Sequence, residues 1–323
     1  MPNVFSNNIK KWVSELTGLF GALLVLIIIF GLTANNFFTV ITFKTIANQI
    51  PDITIIAAGM TFVLIIAGID LSVGSVMALC SAVLGVAMIN WHLPLIAAIG
   101  LCCLTGLACG LLNGAVIVRW KLPSFIVTLA MLEIARGAAY LVTDSRTIYI
   151  GSAVERISDA AIFGISIPAI IAFLVIVLGQ IILSYTVFGR YMIAIGTNEE
   201  VVRLSGIDPR PVKIAVFTIC SFLTAIAAVI QTARLSSANP NMGIGLELQA
   251  IAAVVIGGTS LMGGKGSVVR TFLGVLIIGV LSTGLAQIGA QEPTKRLITG
   301  IVILAAVILD YYRNRLRNKT SMP

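Results

Sequence analysis

The chain has 323 residues, 58% hydrophobic and 11% charged, with a formal net charge of +8. At a mean hydropathy of +1.06, that composition excludes an ordinary soluble domain and describes a polytopic integral membrane protein. The basic residues sit in short loops and at the C-terminal end rather than on one continuous face, so they read as topology signals and no nucleic-acid partner is expected.

Apolar runs predict an all-α membrane domain of about ten spans at roughly 20 residues each. They lie near 17–34, 46–66, 73–90, 95–117, 124–142, 167–187, 214–232, 248–262, 271–288 and 296–311. Little is left over, so one domain over 1–323 is expected. The first run follows Lys10 and Lys11 as a secretory signal would, but it is long for one and many spans follow, which favours an uncleaved helix.

Several spans carry interruptions. Pro51 and Asp52 interrupt the second. The run Gly68 to Ser75, GIDLSVGS, joins the second and third. It is either an interfacial turn, with Asp70 or Ser72 capping the next helix, or broken backbone at membrane depth. Gly106, Gly110 and Gly114 form a small-residue stripe on the fourth span, expected to serve packing within the subunit ahead of dimer contact. Glu133 and Arg136 in the fifth have the spacing of an intrahelical ion pair, with a proton or ion relay as the alternative. The eighth run is short, and either crosses or is re-entrant.

The longest charge-dense segment between apolar runs is Gly189 to Lys213, GRYMIAIGTNEEVVRLSGIDPRPVK. Thr197 and Glu200 are spaced as a capping box, Gly206 suits a helix C′ position, and Pro209 forbids continuation. The pattern predicts a two-turn helix outside the bilayer. With the N-terminus inside, fourteen of the 21 Lys and Arg fall on cytoplasmic segments and six outside, with Arg136 in a span. That asymmetry places the 188–213 loop and both termini in the cytoplasm.

Residues able to carry covalent chemistry are few. Cys80, Cys102, Cys103, Cys109 and Cys220 lie in apolar runs without metal spacing or a disulfide framework, and are expected to be small buried residues. The one histidine, His92, sits in a turn. Thr259 to Gly266, TSLMGGKG, approaches a phosphate loop but lacks its first glycine and its final Ser/Thr. No catalytic, metal or cofactor-binding residue is therefore expected. The uncharged polar residues Asn113, Thr128, Gln180, Gln231 and Gln287 suit a path for a neutral polar solute, and equally suit hydrogen bonding between helices.

Four segments together resemble one family: GIDLSVGS at 68–75, NEEVVRLSGI at 198–207, ARLSSANP at 233–240 and LELQAIAAVVIGGTSLMGGKGS at 246–267. They are similar, over roughly 15–312, to the sugar-type permeases of bacterial ABC importers, the ribose type above all. The resemblance implies a fold of about ten helices per subunit, like the vitamin B12 importer, in the bacterial inner membrane. It implies a second permease subunit, expected to be identical, and a periplasmic sugar-binding protein that delivers the substrate. It also implies a cytoplasmic ATPase with two nucleotide domains, which alone binds ATP, so the chain itself is not an enzyme.

On this resemblance Asn198, Glu199, Glu200, Val201, Arg203, Leu204, Gly206 and Ile207 are the ATPase-coupling residues. Val201, Val202 and Leu204 would form the seating face, and Glu199, Glu200 and Arg203 would fix its register. One departure is Glu200-Val201-Val202, where the family has Glu-Ala-Ala. Gly68, Asp70, Ser72, Gly74, Ser75, Asn113, Gly257, Gly258, Gly263 and Gly264 are candidates for a pathway or gate. For the glycine-rich run 257–266 a plain cytoplasmic turn is the equal alternative. Ribose is the first expectation for the substrate, with other aldoses or a sugar-derived signal behind it. An ion-coupled secondary transporter and a non-transporting membrane receptor are the rival classes.

Overall fold

The computed structural model describes the backbone of residues 3–162 and 165–319, and the side chains of residues 16–308 apart from 159, 162–164, 303, 306 and 307. Its helices are α1 (Asn3–Thr33), α2 (Val40–Ile65), α3 (Val73–Ile89), α4 (Leu95–Trp120), α5 (Ser124–Val142), α6 (Ser152–Asp159), α7 (Ile167–Tyr185), α8 (Val187–Leu204), α9 (Arg210–Leu235), α10 (Leu246–Ile256), α11 (Val268–Gln287) and α12 (Glu292–Lys319). Among the described residues seven helices are long and apolar enough to cross a membrane: α1, α2, α4, α5, α7, α9 and α11. The chain is an all-α, multi-pass membrane protein. Lys10, Lys11, Arg313, Arg315, Arg317 and Lys319, part of the topology signal, have side chains outside the described residues.

Each of the ten predicted runs coincides with a helix, the eighth only over its first part. The second begins earlier than expected, because the Thr39 hydroxyl accepts from the Thr42 N–H and starts the helix ahead of Lys44. Nor does Pro51 break it. Proline removes the N–H that would bond the carbonyl of Ala47, yet α2 runs through. The guanidinium of Arg234 braces this stretch from α9, donating to the Asn48 carbonyl at 2.8 Å and to Asp52 Oδ2 at 2.8 Å.

α2 is the axis of the subunit. Its apolar window is 89% buried, whereas that of α1 is 6% buried and faces outward. Beside it, α4 packs on α9 through the glycine stripe. A Cβ on Gly106 or Gly110 would come within 2.6 Å of the Ser221 or Phe217 carbonyl, and one on Gly114 within 2.8 Å of the Ile214 Cα. The stripe therefore serves packing within the subunit.

The eighth run resolves into a half-helix. α10 has 11 residues, about 16 Å long at 1.5 Å per residue, against roughly 30 Å of hydrocarbon. Leu246 and Gln249 share a cavity with the N-terminal half of α2, while Gly264 bonds the last residue of α2. The segment thus crosses the length of α2, half as helix and half as irregular backbone held inside protein.

Candidate coupling surface and gate

The 188–213 segment differs from a loop. Helix α8 starts at Val187, where Thr186 caps it by accepting from the Gly189 N–H, and bends at Asn198, whose φ of −164° and ψ of 100° are extended. Asn198 is the cap of the second part, with Oδ1 accepting from the Val201 N–H at 3.1 Å. Thr197 does not cap it: its hydroxyl donates back to the Ile193 carbonyl at 2.8 Å, which makes it the end of the preceding turns. Gly206 does take the expected role, with φ +82°. Its N–H donates to Arg203 and that of Ile207 to Val202, which closes the helix end.

Side chains on this short helix divide by face. Val201 and Leu204 are 55% and 77% exposed, whereas Val202 is 6% exposed and faces the subunit, contrary to its expected place on the seating face. Glu200 pairs with Arg203 at 2.6 Å, Glu199 with Lys213 at 3.0 Å, and Asp208 with Arg210 at 3.8 Å. Exposed pairs of this kind contribute about 0–1 kcal/mol to stability, so the fold does not depend on them. Glu199, Glu200, Arg203, Lys121, Arg210 and Lys213 line a cavity of about 700 Å3 beside the helix.

The helix is joined to the core through glycines. A Cβ on Gly196 would lie 1.7 Å from the Ile65 carbonyl oxygen and 2.5 Å from the Gly264 nitrogen. Gly263 packs on Ala67, which has φ +58° just past the end of α2. Backbone from α8, α2 and the 257–266 run meets here without intervening side chains. Several of the run's amides are engaged: Gly264 donates to Ile65, Ser260 to Lys265 and Gly263 to Ser260. Those N–H groups are thereby withheld from a cradle of the kind a phosphate loop presents. Gly257 sits against α11, where a Cβ would meet the Arg270 carbonyl at 2.6 Å, and Gly258 turns at φ +81°.

Residues 68–75 continue from the same junction into the interior. Gly68 closes on the Val63 carbonyl at 2.9 Å. Asp70 and Ser72 are fully buried, and Asp70 Oδ1 accepts from the Ser72 N–H at 2.9 Å and the Ser72 hydroxyl at 2.6 Å. Asn113 of α4 donates to that hydroxyl at 3.1 Å. From α5, Ser124 accepts from the Ile69 N–H, and Thr128 accepts from the Leu71 N–H and donates to the Ile69 carbonyl. This is broken backbone whose polar groups are satisfied by protein contacts. Ser72 makes no side-chain cap to α3. Gly74 touches the 240–247 loop, where a Cβ would meet the Gly243 carbonyl at 2.3 Å, and the Ser75 hydroxyl is buried without a protein partner.

Residues 41–307 match a family model described as the permease component of the branched-chain amino acid transport system. The chain belongs to this permease family. It is 41% identical over 298 residues to the ribose import permease protein of Haemophilus influenzae, covering 91% of this chain and 92% of that one. It is 40% identical over 301 residues to the ribose import permease protein of Bacillus subtilis, covering 92% and 93%. A fructose import permease protein of Rhizobium meliloti is 33% identical over 302 residues, covering 90% of this chain and 83% of that one. The protein is therefore a sugar-type ABC permease, a transporter rather than an enzyme.

In this permease the polar residues within spans mostly join helices. Gln287 donates to Thr42 at 2.6 Å, and Gln180 accepts from Ser267 at 3.1 Å and from the Val269 N–H. Gln231 instead lines a cavity at the other end of α2. Arg136 does not form the expected pair with Glu133. Its guanidinium donates to the carbonyls of Pro240 and Met242, and Glu133 is exposed on the outer surface of α5. Sequence reasoning missed Gly196, a single glycine in an apolar stretch, because only the tertiary contact gives it meaning. It also missed the Asp52–Arg234 pair, although a carboxylate inside a span was the signal that called for a partner.

Proposed function

We propose that this chain is the membrane subunit of an ATP-driven importer of ribose. It pairs with a second, identical copy in the bacterial inner membrane, takes sugar from a periplasmic binding protein, and is driven by a cytoplasmic ATPase with two nucleotide domains that alone binds ATP. The carrying observation is the exposed helix of Asn198–Leu204, anchored through Gly196 to the end of α2 and to Gly264. Val201 and Leu204 seat in the ATPase, and Glu199, Glu200 and Arg203 set its register.

Movement of that helix on ATP binding shifts the three-way glycine junction. Because Ala67 leads directly into Gly68–Ser75, the same shift tilts the broken segment and the 257–266 run, which act as the gate. The charge asymmetry of the loops supports a cytoplasmic coupling helix and cytoplasmic termini. Similarity to two ribose import permeases at about 40% identity supports ribose; the fructose permease keeps the class while widening the sugar.

The test is radiolabelled ribose uptake into proteoliposomes that hold the permease, its ATPase and its binding protein, with each omitted in turn. Uptake that needs all three and internal ATP is expected. Uptake by the permease alone under a proton or sodium gradient would overturn the mechanism, and ATP-dependent uptake of another sugar would replace ribose.

A further inference from the structure

At the end of α2 remote from the coupling helix lies a cavity of about 490 Å3, bounded by α2, α9, α10 and α11. That volume is within the roughly 300–1,000 Å3 typical of small-molecule sites. We propose that this cavity is an acceptor site for a neutral polyhydroxylated sugar, which holds it weakly between its arrival at the permease and its passage towards the gate. The proposal rests on the reading of the chain as a sugar permease, and adds a binding site within the subunit.

The Asp52–Arg234 ion pair in the wall is self-contained. Asp52 Oδ2 takes the Arg234 guanidinium, Asp52 Oδ1 accepts from the Ile53 N–H at 3.0 Å, and Arg234 spends its other terminal nitrogen on the Asn48 carbonyl. With opposite charges cancelled, the pair demands no counterion and offers a fixed polar wall. Gln49 of α2, Gln249 of α10 and Ser282 of α11 all line the cavity and are exposed. Each of these amides and hydroxyls both donates and accepts, as vicinal sugar hydroxyls do. The Gln231 amide oxygen is buried without a protein partner. A buried acceptor of this kind is destabilising unless something donates to it.

The remaining lining favours the same chemistry. Ile46, Ile50 and Ile278 supply apolar wall for ring C–H groups, and Arg296 leaves a net positive charge that disfavours cationic solutes. Among the described residues, none that lines it is aromatic. Without a ring to stack on, retention stays weak, as a conduit requires if the solute is to leave.

Saturation-transfer NMR on the purified permease in nanodiscs, with D-ribose, D-fructose and D-xylose as separate probes, tests the site without ATP, ATPase or binding protein. At least one sugar should show transfer in the parent chain. That transfer should fall about tenfold, a 1.4 kcal/mol loss, in the cavity-filling variant S282W and in the polar-to-apolar pair Q49A/Q249A. Thermal unfolding identifies any variant that is misfolded, and the other then decides. No transfer from any of the three sugars in the parent chain, or equal transfer in the folded variants, overturns the site. Loss of ATP-driven uptake with transfer intact would instead count against the importer reading.

Discussion

The N–H of Gly264 donates to the carbonyl of Ile65 at 2.8 Å, tying the glycine-rich run to the last residue of α2, and Gly196 sits so close to that same carbonyl that a Cβ there would lie 1.7 Å from it. Any displacement of the short helix Asn198–Leu204 would therefore reach α2 and residues 68–75 through backbone contacts that have no rotamer slack. Packed cores of this kind respond by discrete shifts rather than by yielding.

Gly196→Ala should jam that junction. The added methyl has 1.7 Å where van der Waals contact needs far more, and overpacking costs about 1–3 kcal/mol. Differential scanning fluorimetry of the solubilised protein should show a lowered Tm, and uptake in the reconstituted complex should fall by about tenfold. Gly137→Ala, with nothing within 4 Å, is the matched control and should leave both unchanged.

Gly110→Leu should unseat α4 from α9, because a side chain there meets the Phe217 carbonyl and the Thr218 Cα. The expected result is loss of folded subunit, read by size-exclusion chromatography of the detergent-solubilised protein. A stable subunit that had merely lost its dimer would assign the stripe to the dimer contact instead.

Asn113→Ala should loosen the broken segment without unfolding the bundle. It removes the donor to the Ser72 hydroxyl, a loss of about 0.5–1.5 kcal/mol for a neutral hydrogen bond. Asp70→Ala should cost more, since it strips acceptors from two Ser72 groups at once. Uptake falling further than Tm in both variants would match a gate, whereas full transport by both would reduce the segment to a structural turn.

Asp52→Ala leaves the Arg234 guanidinium half-buried without its carboxylate. Breaking one side of a buried pair costs about 3–5 kcal/mol, and removing both sides costs less. Thermal unfolding should rank D52A below the D52A/R234A double variant.

Much of the fold was legible because apolar runs of near-membrane length alternate with polar turns, and lipid imposes helices on such runs. The short helix Asn198–Leu204 was legible at its C-terminal end, where glycine suits φ +82° at position 206. Its start was not. Thr197 and Asn198 are both capping residues by type, and the choice fell to Asn198 because α8 continues straight up to Thr197. Pairings across the chain were hidden for a simpler reason. Arg136 finds Pro240 and Met242 more than 100 residues away, and Asp52 finds Arg234 at a separation of 182. Local spacing suggested Glu133 for the first and only an interruption for the second. Pro51 misled because its cost depends on whether a neighbour braces the helix, and Arg234 does.

The central claim, that an ATPase drives this permease through the exposed face of the short helix, is tested most directly by Val201→Glu/Leu204→Glu. Both side chains point away from the subunit and are more than half exposed, so the permease should fold and keep its Tm. In proteoliposomes with the ATPase and binding protein, ATP-dependent ribose uptake should drop at least about tenfold, and the ATPase should no longer co-purify, as expected when apolar anchors of an interface become charged. Wild-type uptake by that variant with the ATPase still bound would contradict the account.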